Sequence, residues 1–231
     1  MGALTGAGIS VPSGIPDFRS PGSGLWENMN PMEVAHIDAW RNDPARFWDF
    51  YGQRFGLLAG CEPNDAHRAL AKLQQSGQLD AVLTQNIDML HQKAGSTGTV
   101  ELHGSIRTSS CLSCGSQVPL DDAMRMIEAA ADGVPRCTCG EPLKPDVVLF
   151  GEMLPAEAID RAFDLAASAD LLICVGSSLE VFPVASLPHE TFSAGGQVAL
   201  VTQGPTPWDD RAVVKLDRDV EADLAAVLEA L

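Results

Sequence analysis

Residues 155–178 read PAEAIDRAFDLAASADLLICVGSS, and this stretch decides the fold. Pro155 has the fixed φ and the missing donor that suit a helix start, and Ile159, Ala162, Phe163 and Ala166 recur at helical spacing on one face. Leu171–Val175 then runs apolar without a break, the pattern of a strand covered on both sides, and Gly176-Ser177-Ser178 follows as a turn of small residues. The unit recurs upstream. Asn64 or Asp65 caps a helix carrying Ala66, Ala69, Leu70 and Leu73, Gly77 stops it, and a strand at 81–84 follows. It recurs downstream as a helix near Val184, a strand at 198–201, and a closing helix with Val220, Leu224, Val227, Leu228 and Leu231 along one face. This alternation predicts an α/β, doubly wound parallel sheet whose ligands sit beyond the carboxyl ends of the strands.

The loops at those strand ends carry the chemistry. Ala3-Leu4-Thr5 reads as the end of a strand most of which is missing, entering Gly6-Ala7-Gly8-Ile9-Ser10, where absent side chains let backbone N–H groups approach a pyrophosphate. The dehydrogenase pattern is not completed, because Val11 holds its third small position and no carboxylate ends a second strand, so hydride transfer is disfavoured. Residues 13–19, SGIPDFR, combine a turn with Asp17, Phe18 and Arg19, suiting a loop that closes over a ligand. Gln85-Asn86-Ile87-Asp88 sets two amides and a carboxylate where a ribose or carboxamide can partner them, or where Asn86 or Asp88 can cap a helix. A short strand Val100-Glu101-Leu102 delivers His103 to the same edge, an imidazole able to take a proton near neutral pH. His36, His67, His91 and His189 are assigned packing or surface roles. From Gly14 to Pro63 the text is aromatic and broken by Pro21, Pro31 and Pro44, which predicts a helical insertion of short helices and loops.

Four of six cysteines pair as Cys111-x-x-Cys114 and Cys137-x-Cys139. Such spacing favours metal over disulfide in a reducing compartment: four thiolates in a tetrahedron around structural Zn2+, or three with another ligand. Cys174 reads as a core residue, and Cys61 has no evident base beside it. The formal charge of -16, from 31 acidic and 15 basic residues, repels phosphate backbones and anionic lipid, so no nucleic acid or membrane is expected as a partner. No apolar run is long enough to span a bilayer, and the N-terminus lacks the regions of a signal peptide, so a cytoplasmic location is expected.

Taken in order, Gly6-Ala-Gly-Ile-Ser10, Gly14-Ile-Pro-Asp-Phe-Arg19, Thr84-Gln-Asn-Ile-Asp88, Leu102-His-Gly104, the cysteine pairs, Pro145-Asp-Val-Val-Leu-Phe-Gly-Glu152 and Gly176-Ser-Ser178 closely resemble the sirtuin family. The resemblance implies a Rossmann-like large domain from 1–25, 64–104 and 145–231, with a small domain made of a helical module at 26–63 and a zinc-binding module at 105–144. It implies NAD-dependent protein-lysine deacylation, deacetylation foremost, giving nicotinamide, O-acyl-ADP-ribose and free lysine, with acyl-lysine-bearing proteins as partners and a monomer favoured. The NAD-contacting set it implies is Gly6, Ala7, Gly8, Ser10, Asp17, Phe18, Arg19, Gln85, Asn86, Ile87, Asp88, Gly176, Ser177, Ser178, Thr202 and Val220. Val148, Leu149, Phe150, Gly151, Glu152 and Val181 would flank the substrate peptide, and His103, Asn86 and Asp88 would be catalytic, His103 as general base on a ribose hydroxyl.

The chain also departs from the family pattern. The first strand and its upstream helix are almost absent, Met89 stands where glycine is common, and Thr202-Gln203 replaces an asparagine near the adenosine ribose. Tyr51-Gly-Gln-Arg54 looks like the Tyr-x-x-Arg pair that binds acidic acyl groups, but lies too close to Pro63-Asn64. Trp48 and Tyr51 then take those places, favouring acetyl or another neutral acyl group. Two rivals stand beside deacylation: NAD glycohydrolysis or ADP-ribosyl transfer to protein, and a non-catalytic NAD-binding regulator.

Overall fold

The computed structural model describes residues 1–17 and 30–230. The chain opens with strand β1 (Gly2–Thr5) and a 3-10 turn at Ala7–Ser13, then helices α1 (Pro31–Val34), α2 (Ile37–Asn42), α3 (Pro44–Gly60) and α4 (Asp65–Gln75). Strand β2 (Ala81–Thr84), helix α5 (Leu90–Lys93) and strands β3 (Val100–Glu101), β4 (Gly104–Cys111) and β5 (Gln117–Pro119) follow, with α6 (Leu120–Ala129) and β6 (Leu143–Val147). The last third alternates α7 (Ala156–Ser168), β7 (Leu171–Val175), α8 (Leu187–Ser193), β8 (Gln197–Val201), β9 (Val214–Leu216) and α9 (Val220–Ala230).

Six strands form one parallel sheet in the order β3-β2-β1-β7-β8-β9. Period-two alternation sends Leu4, Leu172, Cys174, Val198 and Leu200 to the face covered by α7 and α8. Ala3, Ile173, Val175, Ala199 and Val201 go to the other, covered by α4 and α9. Helices on both faces make the sheet doubly wound, as the apolar strands predict. The first strand is no stub: β1 is central, and all four of its residues are buried and in register with β2 on one side and β7 on the other.

The aromatic insertion departs from the expected short pieces. Pro44 does not break a helix but opens one, at its first turn, where a missing N–H costs nothing. Asp43 caps it by accepting from Arg46 N–H at 3.0 Å, and α3 runs for 17 residues. The cysteine-bearing segment holds a three-stranded antiparallel sheet, β5-β4-β6, that composition did not announce, since β4 reads GSIRTSSC.

The two inserts share a core. Ile37, Trp40, Phe47, Trp48 and Phe55 pack with Ile106, Leu120, Val134, Val147 and Leu149. Both indoles, Trp40 Nε1 at 3.1 Å and Trp48 Nε1 at 3.0 Å, donate to the carbonyl of Leu143 in β6. Each such bond contributes about 1 kcal/mol, against about 2–3 kcal/mol from burying a large apolar side chain, so packing sets the strength of this junction and the indoles set its register.

Candidate active site

Strand order reverses between β1 and β7: the chain winds outward through β2 and β3 from one and through β8 and β9 from the other. That reversal opens a crevice at the strand ends, and the glycine loops meet there. Gly6 N–H donates to Val175 O at 3.0 Å and Gly8 N–H to Gly176 O at 2.8 Å. A Cβ on Gly8 would stand 2.7 Å from Gly176 Cα, and one on Gly176, whose φ is +60°, would stand 2.2 Å from Ile9 N. Backbone presses on backbone, so only glycine fits. The N–H groups of Gly6 and Gly8 are spent holding the two loops together.

Polar side chains line the crevice in one connected network. Gln85 Nε2 donates to Ser177 Oγ at 3.0 Å, and Ser177 Oγ accepts from Leu179 N–H at 3.2 Å. Asn86 Nδ2 donates to Gly6 O and to Ser10 Oγ, both at 3.1 Å, and Ser10 Oγ donates to Asp88 Oδ2 at 2.7 Å. Asp88 Oδ1 accepts from Leu90 N–H at 3.0 Å. Burial holds the Asp88 carboxyl above its ordinary pKa against those two donors. Asp88 Oδ1 thus braces the first residue of α5, whose N-cap position is Met89 with no side-chain cap bond. Ile87 packs with the core shared by the inserts.

Beneath this layer lie two histidines that sequence reading placed only in packing or surface roles. Both are buried, and their rings meet edge to face at 4.9 Å. Asn64 commits its Nδ2 to Ile9 O at 2.8 Å and Ser13 Oγ at 3.0 Å, so its Oδ1 faces His67 Nδ1 at 3.0 Å and Nδ1 must carry the hydrogen. His67 Nε2 is then bare, 3.4 Å from Ser10 Oγ, whose single hydrogen goes to the nearer Asp88. Thr5 Oγ1 donates to Thr84 Oγ1 at 2.8 Å, so His91 Nε2, 2.9 Å from Thr5 Oγ1, is the donor in that contact. Thr84 Oγ1 in turn accepts from Asn86 N–H at 3.1 Å. Burial, with a smaller push from Arg68, lowers His67 to about 4; burial, with a smaller push from His67, lowers His91 to about 3. Both stay neutral at pH 7 and brace the crevice floor. The one sequence signal for His67 is its place on the same buried face of α4 as Ala66 and Leu70.

His103 follows β3. Its Nδ1 lies 3.0 Å from Gln85 O, which can only accept, so Nδ1 carries the hydrogen and Nε2 is bare. Burial lowers its pKa, partly offset by the Gln85 bond, and the ring is neutral at pH 7. Gly104, at φ +72°, follows because a Cβ there would stand 2.0 Å from Asp146 O. His103 O accepts from Val148 N–H at 2.8 Å, which ties the histidine to the 148–152 segment. In that segment Phe150 donates to Ala35 O and accepts from Ile37 N–H, both at 2.9 Å. Phe150 and Val181 remain partly exposed, at 48% and 37%. Gly151, at φ +85°, passes so close to His36 that a Cβ would stand 2.6 Å from Nε2.

The remaining expected site residues lie on neighbouring loops and strand ends. Thr202 follows β8 and donates from its backbone to Leu216 O at 2.9 Å; Val220 opens α9 and packs on the sheet. Ala7, Asp17 and Ser178 are half-buried in their loops, and Phe18 and Arg19 lie outside the described residues.

At the far end of β4 the four thiols converge. Cys111 and Cys139 Sγ are 3.5 Å apart, Cys114 and Cys137 Sγ 3.4 Å, and all four lie within 4.8 Å of one another. These separations exceed a disulfide bond and match the edges, about 3.8 Å, of a thiolate tetrahedron about 2.3 Å from zinc. Four sulfurs leave no place for substrate, so the cluster fits one structural zinc.

The model of the Sir2 family matches residues 6–183. A protein of Caldivirga maquilingensis named NAD-dependent protein deacetylase is 46% identical over 227 residues, covering 98% of this chain and 86% of that one. One of the same name from Saccharolobus solfataricus is 44% identical over 227 residues, covering 98% and 90%. Among solved structures, a Sir2 protein with a p53 peptide and NAD+ has a TM-score of 0.91 and 41% identity, covering 99% of this chain and 92% of its own. With the switch-point crevice and the tetrathiol cluster in place, these likenesses establish that the chain belongs to the Sir2 family.

Proposed function

We propose that the protein is an NAD-dependent protein-lysine deacylase that turns NAD and an acyl-lysine side chain into nicotinamide, O-acyl-ADP-ribose and free lysine. One observation carries the reading: the bare Nε2 of His103 stands at the strand-end crevice, bonded through Gln85 to the switch-point loops and through its own carbonyl to the 148–152 segment. Proteins 44–46% identical that bear deacetylase names, and Sir2 structures with peptide and NAD+, support it.

NAD supplies a ribose carbon from which nicotinamide departs. The loops at Gly6–Gly8, Asp17–Arg19 and Gly176–Ser178, with Thr202 and Val220, would hold the dinucleotide, and Ser10 and residues 85–88 would border its nicotinamide end. His103 would take a proton from a ribose hydroxyl at Nε2, while Gln85 O holds its ring in the tautomer that leaves this nitrogen bare. Asn86 and Asp88 are set for their part by Gly6 O, Ser10 and the Leu90 N–H. Residues 148–152 and Val181 would flank the acyl-lysine peptide. The two inserts, with their common core, would act as the smaller lobe opposite the sheet.

Acetyl or another neutral acyl group suits the helical insert. The Arg54 guanidinium lies 3.5 Å over the Phe50 ring and donates to Phe50 O, so its charge is already engaged. Tyr51 sits among Phe47, Phe50 and Phe55, and burial pushes its hydroxyl up to about 12. None of the described helices is long and apolar enough to cross a membrane. Incubation with NAD and a mixture of acetyl-, propionyl- and succinyl-lysine peptides, followed by mass spectrometry, tests the reading. Deacylated peptide and acyl-ADP-ribose are expected from the neutral acyl peptides. Nicotinamide release that is indifferent to peptide would favour glycohydrolysis instead.

A further inference from the structure

Lys144 is nearly buried, at 6% exposure, in β6 one residue after Leu143, which packs against the thiol cluster. Its ammonium spends three donors on three acceptors: Pro145 O at 3.0 Å, Val147 O at 2.8 Å and Glu152 Oε2 at 2.9 Å. The same Glu152 oxygen accepts from Leu149 N–H at 2.9 Å, and Glu152 N–H returns a bond to Leu149 O at 3.0 Å. A four-residue turn, Leu149 to Glu152, is thereby closed from both ends. Phe150, inside it, spends both backbone groups on Ala35 and Ile37. Glu152 thus has its partners within its own turn and in Lys144, which reaches it from β6, the strand that leads into that turn.

We infer that Lys144 is a positioning residue: its ammonium fixes the Glu152 carboxylate, and that carboxylate fixes the turn that borders the acyl-lysine peptide. This rests on the deacylase reading proposed above. Lys144 touches none of the residues that would hold NAD, because all its partners fall within 145–152. A nearly buried ammonium has few ways to be satisfied, so the pair sets one geometry for the turn and resists others. The neighbouring residue couples it to the rest of the insert: Leu143 pairs with Cys111, packs on Cys137, and takes both indoles on its carbonyl. The metal-bearing sheet is thus linked to the peptide side of the crevice through two consecutive residues.

The test is steady-state kinetics on the full chain with an acetyl-lysine peptide, beside NAD binding by calorimetry. Lys144→Met should raise the peptide KM about ten-fold, with kcat and NAD affinity held within about two-fold, and Lys144→Arg should recover most of the loss. Glu152→Gln should raise KM similarly, and the double variant should be no worse than the worse single one, because both remove one interaction. Where methionine does not fold, Lys144→Gln serves, since it keeps donors for the two carbonyls and removes the charge. An unchanged peptide KM in a folded variant overturns the inference. So does a joint fall in NAD affinity, kcat and Tm that arginine does not rescue, which marks a merely structural lysine. A wild-type chain that deacylates nothing removes the deacylase reading and this inference with it.

Discussion

His91→Gln gives a pH-dependent test of the buried floor beneath the crevice. Glutamine can keep a donor toward Thr5 Oγ1, the one hydrogen bond that His91 Nε2 makes. His91 is held neutral by burial, at about 3, whereas in the unfolded chain it titrates near 6.5. Between those values the unfolded protein binds one proton that the folded protein does not. Stability from this group is therefore complete above about pH 6.5 and is lost as pH falls toward 3. One proton corresponds to about 1.4 kcal/mol per pH unit, or about 2 kcal/mol between pH 6.5 and 5. Other groups titrate in this window, His67 in the same sense and the raised Asp88 carboxyl in the opposite one, with the acidic surface and the thiol cluster besides. The acidic surface and the thiol cluster act alike in both proteins, so the wild-type minus variant difference reports His91 together with its coupling to the adjoining His67 ring. Urea unfolding followed by tryptophan fluorescence from pH 7 to pH 5, at fixed ionic strength, measures it. The wild type should lose about 2 kcal/mol relative to the variant across that range. Two stability curves that run parallel would refute the reasoning, whatever the cost of the substitution at pH 7.

Two further outcomes follow from geometry. Mercurial modification of the thiols should release one zinc per chain to a chromophoric chelator, and Cys137→Ser should lower both metal content and Tm; a fully stable, metal-free protein would contradict the tetrahedral assignment. Gly176→Ala forces a side chain into a left-handed residue against the Ile9 backbone, so it should cost about 3 kcal/mol or more, lowering Tm by roughly 10 °C in calorimetry, with NAD affinity lost as well.

The inner strands of the sheet were legible because they are buried on both faces. The strands at 81–84 and 171–175 are almost unbroken apolar runs between helix signals, because neither has an exposed face. Asn64 was readable as a cap because capping chemistry is local. Strand β4 was not, since one of its faces is partly exposed and polar residues such as Ser109 are buried on the other. The length of α3 was hidden by Pro44, a helix breaker everywhere except the first turn, where it stands. Met89 occupies a left-handed position, φ 64°, which accounts for glycine being common there; methionine accepts the strain and packs into the core of the inserts. The crevice residues were legible as loop motifs at strand ends. The network that orients them was not, because Thr5, Thr84, His67 and His91 meet through contacts between residues far apart in the chain. No local signal marks Lys144 either, whose role depends on how the turn at Leu149–Glu152 folds back onto the strand before it.

The most direct test of the central claim is to compare wild type and His103→Ala with NAD and an acetyl-lysine peptide, measuring free-lysine peptide and bound NAD separately. A general base contributes about 100-fold or more, so the variant should lose deacetylation by at least that factor while still binding NAD. A variant that deacetylates at the wild-type rate would show that the Nε2 left bare by the Nδ1–Gln85 bond is not the base, and the proposed chemistry would have no proton acceptor.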